Sequence, residues 1–241
     1  MSRYFIEVSY KGTSYSGFQK QHNANSIQSE LENALKIYYK QNFELTGSSR
    51  TDAGVHASQN FFHFDILTAI KDDAYNLNAI LPDDIVVKRI FKVDDNVHCR
   101  FDALSREYHY YIYQQKNPFL QGRACYIPYT IELNLLQSAA KEIMNHTDFT
   151  SFSKRNTQVK TFLCNIYLSE WTQEADCIVY KIKANRFLRG MVKGLVGTML
   201  LMGKGKINLE EFTAIITAKD CTKADFSVPP DGLFLSKVVF S

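Results

Sequence analysis

The sequence has no Cys-x-x-Cys pair, no phosphate-cradling glycine loop, no long apolar run and no strong excess of charge. Each absence closes a class of function. The five cysteines, Cys99, Cys125, Cys164, Cys177 and Cys221, are odd in number and scattered, which argues against a disulfide framework and for reduced thiols in a cytoplasmic protein. The most apolar stretch, Met191 to Met202, carries Lys193 and is too short to span a bilayer. The opening MSRYFIEVSY is strand-like and lacks a signal-peptide core, so no membrane association is expected. Gly203 and Gly205 lack the third glycine and the strand-turn-helix setting of a dinucleotide fingerprint. His56 and His98 have no second His, Cys or carboxylate at metal-ligand spacing, so neither metal nor cofactor is expected. There is no long linker, low-complexity tract or sequence-level repeat.

What remains is an ordinary globular composition. With 45% hydrophobic and 22% charged residues, 241 residues suffice for one large domain or two small ones sharing their packing. The net charge of +3 is mildly basic, which suits a polyanionic partner if the cations cluster. Tyr4, Ile6, Val8 and Tyr10 alternate with polar neighbours, so residues 3–10 read as a half-buried strand, followed by a turn over 11–17. Ile27, Leu31, Leu35 and Tyr38 mark one face of a helix capped by Asn25 or Ser26. Strands are expected over 43–46 and 59–65, a second helix over 72–81 ending at Pro82, and a strand over 85–93. The second half repeats the alternation: an aromatic strand over 106–113, a helix over 132–145, strands over 161–171 and 177–184, helices over 187–202 and 209–218, and a terminal strand over 233–240. The pattern predicts an α+β protein of two related α/β subdomains, residues 1–103 and 104–241, with mainly antiparallel sheets flanked by helices. The last strand is expected to pack back on the first subdomain.

The stretch richest in chemistry is GSSRTDAGVHA, from Gly47 to Ala57. Its small residues let the backbone bend tightly and a large ligand approach closely. Asp52 is its one carboxylate, with Arg50 two residues before it. Alone, an Asp in such a turn reads as an Asx-turn or a helix cap. It can also serve as a nucleophile, because a carboxylate is already ionised at neutral pH and needs no base to activate it. Arg50 points either along the Asp52 side of the loop or away from it, toward a phosphate or an opened base stack. In SREYHYYIY, Arg106, Tyr108, Tyr110 and Ile112 share one strand face, as core packing or as a platform for a stacked pyrimidine. In RFLRGMVKGLVGTML, a helix would place Arg186, Arg189 and Lys193 in one basic stripe beside an apolar face. Leu233, in PPDGLFLSKVVF, reads alone as a core leucine.

Together these strings resemble the tRNA pseudouridine synthase A family. GSSRTDAGVHA matches its Arg-Thr-Asp-Ala-Gly-Val-His-Ala signature closely, and this match is highly specific. RFDALSREYHYYIY resembles its Arg-Phe-x-Ala-x-x-Arg-x-Tyr-x-Tyr segment, RFLRGMVKGLVGTML its Phe-Leu-x-x-Met-Val-Arg-x-x-Val-Gly segment, and PPDGLFLSKVVF its closing strand. YKGTSYSGFQKQ is similar to the family opening Tyr-Asp-Gly-Thr-x-Tyr-x-Gly-Trp-Gln, with Lys11 and Phe18 replacing Asp and Trp. The resemblance runs through the chain in five ordered segments.

The resemblance implies a nucleophile at Asp52, an RNA-contacting Arg50, an active-site Tyr108 and a pocket-lining Leu233. It places Lys193 where the family has an Arg that pairs with the catalytic Asp. Lysine supplies the charge as a compact ammonium without the two-pronged fork of a guanidinium. By the same resemblance the substrate is tRNA, modified at positions 38, 39 and 40 of the anticodon stem-loop. The enzyme would be a cofactor-free homodimer with its active cleft between the subdomains. The alternatives are a synthase for other RNA positions and a non-catalytic RNA-binding protein of the same fold.

Overall fold

The chain folds as two compact units, one formed by residues 1–104 with the stretch from Phe234, the other by Ser105–Leu233. The computed structural model describes residues 1–67, 69–155 and 159–240. Its described residues form a mixed α/β fold with mostly antiparallel strand pairing and five α-helices.

In the first unit, β1 (Ser2–Tyr10) lies between β3 (His56–Ile66) and β4 (Ile85–Val93), antiparallel to both. The short β2 (Thr46–Gly47) pairs with the middle of β3. β9 (Leu233–Val239) runs parallel to the start of β3, with Phe234 opposite His56 and Leu235 opposite Ala57. Helix α1 (Ile27–Tyr39) begins where expected: Ser26 accepts the Ser29 amide, and the Ser29 side chain returns the bond. Its Tyr39 packs against Phe43, and Phe43 against Phe64 of β3. This inward turn of Phe43 explains why strand pairing starts only at Thr46 rather than over the expected 43–46. Helix α2 is likewise short, Ala74–Asn78, against the expected 72–81. Asp72 is taken up by the amides of Ala74 and Ile90, and Asn78 exchanges two 2.8 Å bonds with the backbone of Val87, which ties off the helix on β4.

β1 corrects the half-buried expectation, because its residues from Tyr4 to Val8 are all buried. On one face Tyr4, Ile6 and Val8 meet the aromatic core. On the other, Phe5 is enclosed by Phe61, Phe91 and Phe240. The roofing side chains come from β3, β4 and the chain end, beyond the reach of any local periodicity. Glu7 shares this second face and is bound by Arg89 at 2.6 Å and Gln59 at 2.8 Å. Those partners hold its carboxyl below the ordinary range despite opposing desolvation.

In the second unit, β5 (Ser105–Tyr113), β8 (Cys177–Ala184) and β7 (Ile166–Glu174) form an antiparallel sheet, with β6 (Cys125–Tyr126) parallel to β5. Residues 161–165, expected to open β7, instead pair with the segment around Asp148 through a Leu163 bridge. Helices α3 (Leu133–Ile143), α4 (Met191–Gly203) and α5 (Leu209–Thr217) complete the unit. The expected basic helix is corrected. α4 starts at Met191, because Gly190 takes a left-handed φ of 76° at its N-cap, so Arg186 and Arg189 precede the helix. Lys193 is the one cation within this almost entirely buried helix.

Candidate active site: the Asp52 loop

Residues 48–55 form a loop without regular structure, and nearly every anchor it has is buried. Ser48 N–H bonds to Phe61 O at 2.7 Å, fixing the entry to β3. Thr51 O accepts the Phe18 amide at 3.1 Å, and Gly54 N–H reaches Tyr15 O at 3.4 Å. The turn closes through Val55 N–H to Asp52 O at 3.2 Å. Gly17, at φ 106°, lies flat on the loop: a Cβ there would come within 3.0 Å of Thr51 O and 3.3 Å of Ala53 N. His56, buried behind the loop, accepts the Gly12 amide at 2.9 Å on Nδ1 and packs its ring on Phe234.

Beneath the loop is a buried polar cluster. Asn60 donates to Tyr10 Oη and to Ser49 O, each at 3.1 Å. Its Oδ1 accepts from Ser48 Oγ at 2.8 Å and from the Phe61 amide at 2.9 Å. Both donors and both lone pairs of the amide are therefore used. Tyr10 Oη and Thr51 Oγ1 are 2.8 Å apart. Burial pushes the Tyr10 hydroxyl up to about 12, with the bonds to Thr51 and Asn60 pulling the other way.

These anchors leave two side chains projecting. Asp52 is partly exposed and Arg50 is exposed, and within the first unit neither takes part in a side-chain hydrogen bond or ion pair among the described residues. Among the described residues of the first unit, Asp52 caps no helix. A fixed backbone carrying an uncommitted carboxylate suits attack or ion pairing at a bound ligand.

The other sequence-identified residues lie in the second unit. Tyr108 of β5 is only 9% exposed and meets Phe187 edge-on at 5.0 Å. Tyr110 and Ile112 on the same strand face are wholly buried, so core packing governs that face. Leu233 is buried at the start of β9, after a 3-10 turn that Tyr110 holds through a 2.8 Å bond to Pro229 O. Lys193 is partly buried in the first turn of α4.

Sequence reasoning missed Tyr10, Gly17 and Asn60. Asn60 left a signal: a polar residue in a strand whose neighbours on that face, Phe62 and Phe64, are apolar. Spacing also missed a possible donor group for a metal. His63, His98 and Cys99 bring one ligand atom each within 4.8 Å of one another. This group fits a cation poorly. His98 Nδ1 already accepts the Arg100 amide, Cys99 Sγ lies 3.1 Å from both His63 Nδ1 and Thr46 O, and the Arg3 charge acts on His63. Burial and then Arg3 depress His63 to about 4, which describes a neutral core imidazole.

Comparison with known proteins identifies the family. The family model described as tRNA pseudouridine synthase matches residues 6–102 and 139–241. A relative from Parabacteroides distasonis, named tRNA pseudouridine synthase A, is 42% identical over all of this chain and 96% of its own length. Relatives of the same name from Bacteroides thetaiotaomicron and Staphylococcus aureus are 42% and 34% identical, covering 100% and 98% of this chain and 91% and 90% of their own. Likeness of this degree along the whole chain shows common descent, and the chain belongs to the tRNA pseudouridine synthase family.

Proposed function

We propose that this protein isomerises uridine to pseudouridine in the anticodon stem-loop of tRNA, at positions 38, 39 and 40, with Asp52 as nucleophile. The observation that carries the reading is the Asp52 loop, whose backbone is tied down on both sides while its carboxylate stays uncommitted within its unit. The reaction breaks the bond from ribose C1′ to uracil N1, turns the base and joins C1′ to C5. The C5 proton leaves to solvent and N1 gains one, so nothing is oxidised and no group enters from outside. The base must first leave its stack.

In this reading Arg50 contacts RNA beside the extruded nucleotide, Tyr108 stacks on the base, and Leu233 lines the uracil pocket. Lys193 supplies the positive charge that favours an ionised Asp52. The subdomains are 1–103 and 104–241, with the last strand packing back on the first and an active cleft between them. The enzyme works as a cytoplasmic homodimer without a cofactor, each tRNA lying across both subunits. The matching signature loop and the names of the whole-chain relatives support this reading.

The test is tritium release from tRNA labelled at uridine C5. Asp52→Ala should lose several orders of magnitude in rate while binding tRNA and melting close to wild type. A variant that still forms pseudouridine at a comparable rate would defeat the assignment. Mapping pseudouridine in tRNA from a strain lacking the gene checks the positions.

A further inference from the structure

The face of β1 and β3 beneath the Asp52 loop changes character along its length. Over most of it, Tyr4, Ile6, Val8, Phe62 and Phe64 form an apolar core. At the end under the loop the same face carries the Tyr10 hydroxyl and the Asn60 amide, with Ser48 and Thr51 above them, all buried. Apolar residues of similar shape could fill that volume with little loss of stability, since a buried polar group gains little net and costs much if left unpaired. What the cluster adds is direction: each bond joins specific groups, and together they restrain the loop main chain.

We propose that Tyr10 and Asn60 are positioning residues for the uridine isomerisation, fixing the main chain before Asp52 and so aiming its carboxylate. The geometry is a relay. Asn60 holds Ser49 O and Ser48 Oγ directly, at 3.1 and 2.8 Å. Its second N–H bonds to Tyr10 Oη, and that hydroxyl shares a 2.8 Å hydrogen bond with Thr51 Oγ1. Thr51 is also held through its carbonyl by the Phe18 amide. Asp52 is the next residue, so rotation of Thr51 would swing the carboxylate. The inference rests on Asp52 as nucleophile and adds the residues that make its placement reproducible.

The test uses the full-length protein and C5-tritiated tRNA under single-turnover conditions. Tyr10→Phe and Thr51→Val each delete one hydroxyl of the relay and keep its volume. Each should slow isomerisation by about 10- to 100-fold, the scale expected from sub-ångström to 1 Å misplacement of a reacting group. Affinity for tRNA should change less than about 3-fold, because neither residue is exposed to a ligand. Thr51→Ser restores the hydroxyl and should recover most of the rate. The double variant should be no slower than the slower single, since both changes break the bond between the two hydroxyls and only Tyr10→Phe also removes the acceptor of an Asn60 N–H. Wild-type rates for folded Tyr10→Phe and Thr51→Val, with only a lowered melting temperature, would overturn the proposal, as would failure of both to fold. Asp52→Ala in the same assay separates the two ideas. If it is active, the nucleophile reading fails. If it is dead while the hydroxyl variants run at wild-type rate, only the positioning role fails.

Discussion

Gly17→Ala places a methyl group against the backbone that carries the proposed nucleophile, and its cost divides into two parts. The first is conformational. Gly17 has φ 106°, where an L-residue costs about 1–2 kcal/mol. The second is contact: the new Cβ would lie 3.0 Å from Thr51 O, 3.3 Å from Ala53 N and 3.4 Å from Asp52 C. These are main-chain atoms of a turn held by the Phe18 and Val55 amide bonds, so relief requires the whole turn to shift by a few tenths of an ångström. Gly205 supplies the control, because it also has positive φ, 67°, and a Cβ there meets nothing within 4 Å. Gly205→Ala should therefore show the conformational cost alone, lowering the melting temperature by about 2–8 °C for a chain of this size. Gly17→Ala should lower it at least as far and also cut the single-turnover rate by about 10-fold or more, with tRNA affinity retained. Equal single-turnover rates for the two variants would refute the claim that loop placement limits the chemistry.

Two further outcomes are expected. Lys193→Ala should slow turnover much more than it weakens tRNA binding, while Lys193→Arg retains substantial activity, and an unchanged rate in Lys193→Ala would remove the proposed pairing with Asp52. Tyr10 should shape alkaline stability: its hydroxyl titrates near 10 in the unfolded chain and at about 12 when buried, so the unfolded state loses its proton first as pH rises. The neutral-state advantage is whole below pH 10 and drains away toward pH 12, by about 3 kcal/mol at most. The stability gap between wild type and Tyr10→Phe should therefore narrow across that window in urea titrations, and a constant gap would contradict it.

The sequence announced the Asp52 loop because its properties are local: small residues, one acid and one guanidinium within a few positions. The anchors were illegible because they arrive from distant positions: Tyr10 and Asn60 through the pairing of β1 with β3, and Gly17 and Phe18 from the segment that follows β1. Strand and helix positions followed from periodicity wherever one face met one core, as in α1 and β4. Periodicity failed at β1, where side chains from β4 and Phe240 close the second face, and at α4, where one left-handed glycine ends the reach of a convincing amphipathic pattern. The basic stripe was lost with it: Arg186 and Arg189 belong to an irregular approach, and only Lys193 rides on the helix.

β9 has a consequence for how the protein is made. Phe234 and Leu235 pair with His56 and Ala57, the residues that lead out of the signature loop, so the first unit is interrupted by everything from Ser105 to Leu233. A ribosome adding roughly 5–20 residues per second takes on the order of ten seconds to cross that insertion. Throughout, the edge of β3 and the ring face of His56 lack their last neighbours, while the second unit emerges whole. Biosynthesis therefore runs out of order: the half that carries the acid is begun first and finished last. The nascent chain passes through a stage with an unpaired, aromatic-rich strand edge, the kind of surface that holdase chaperones shield.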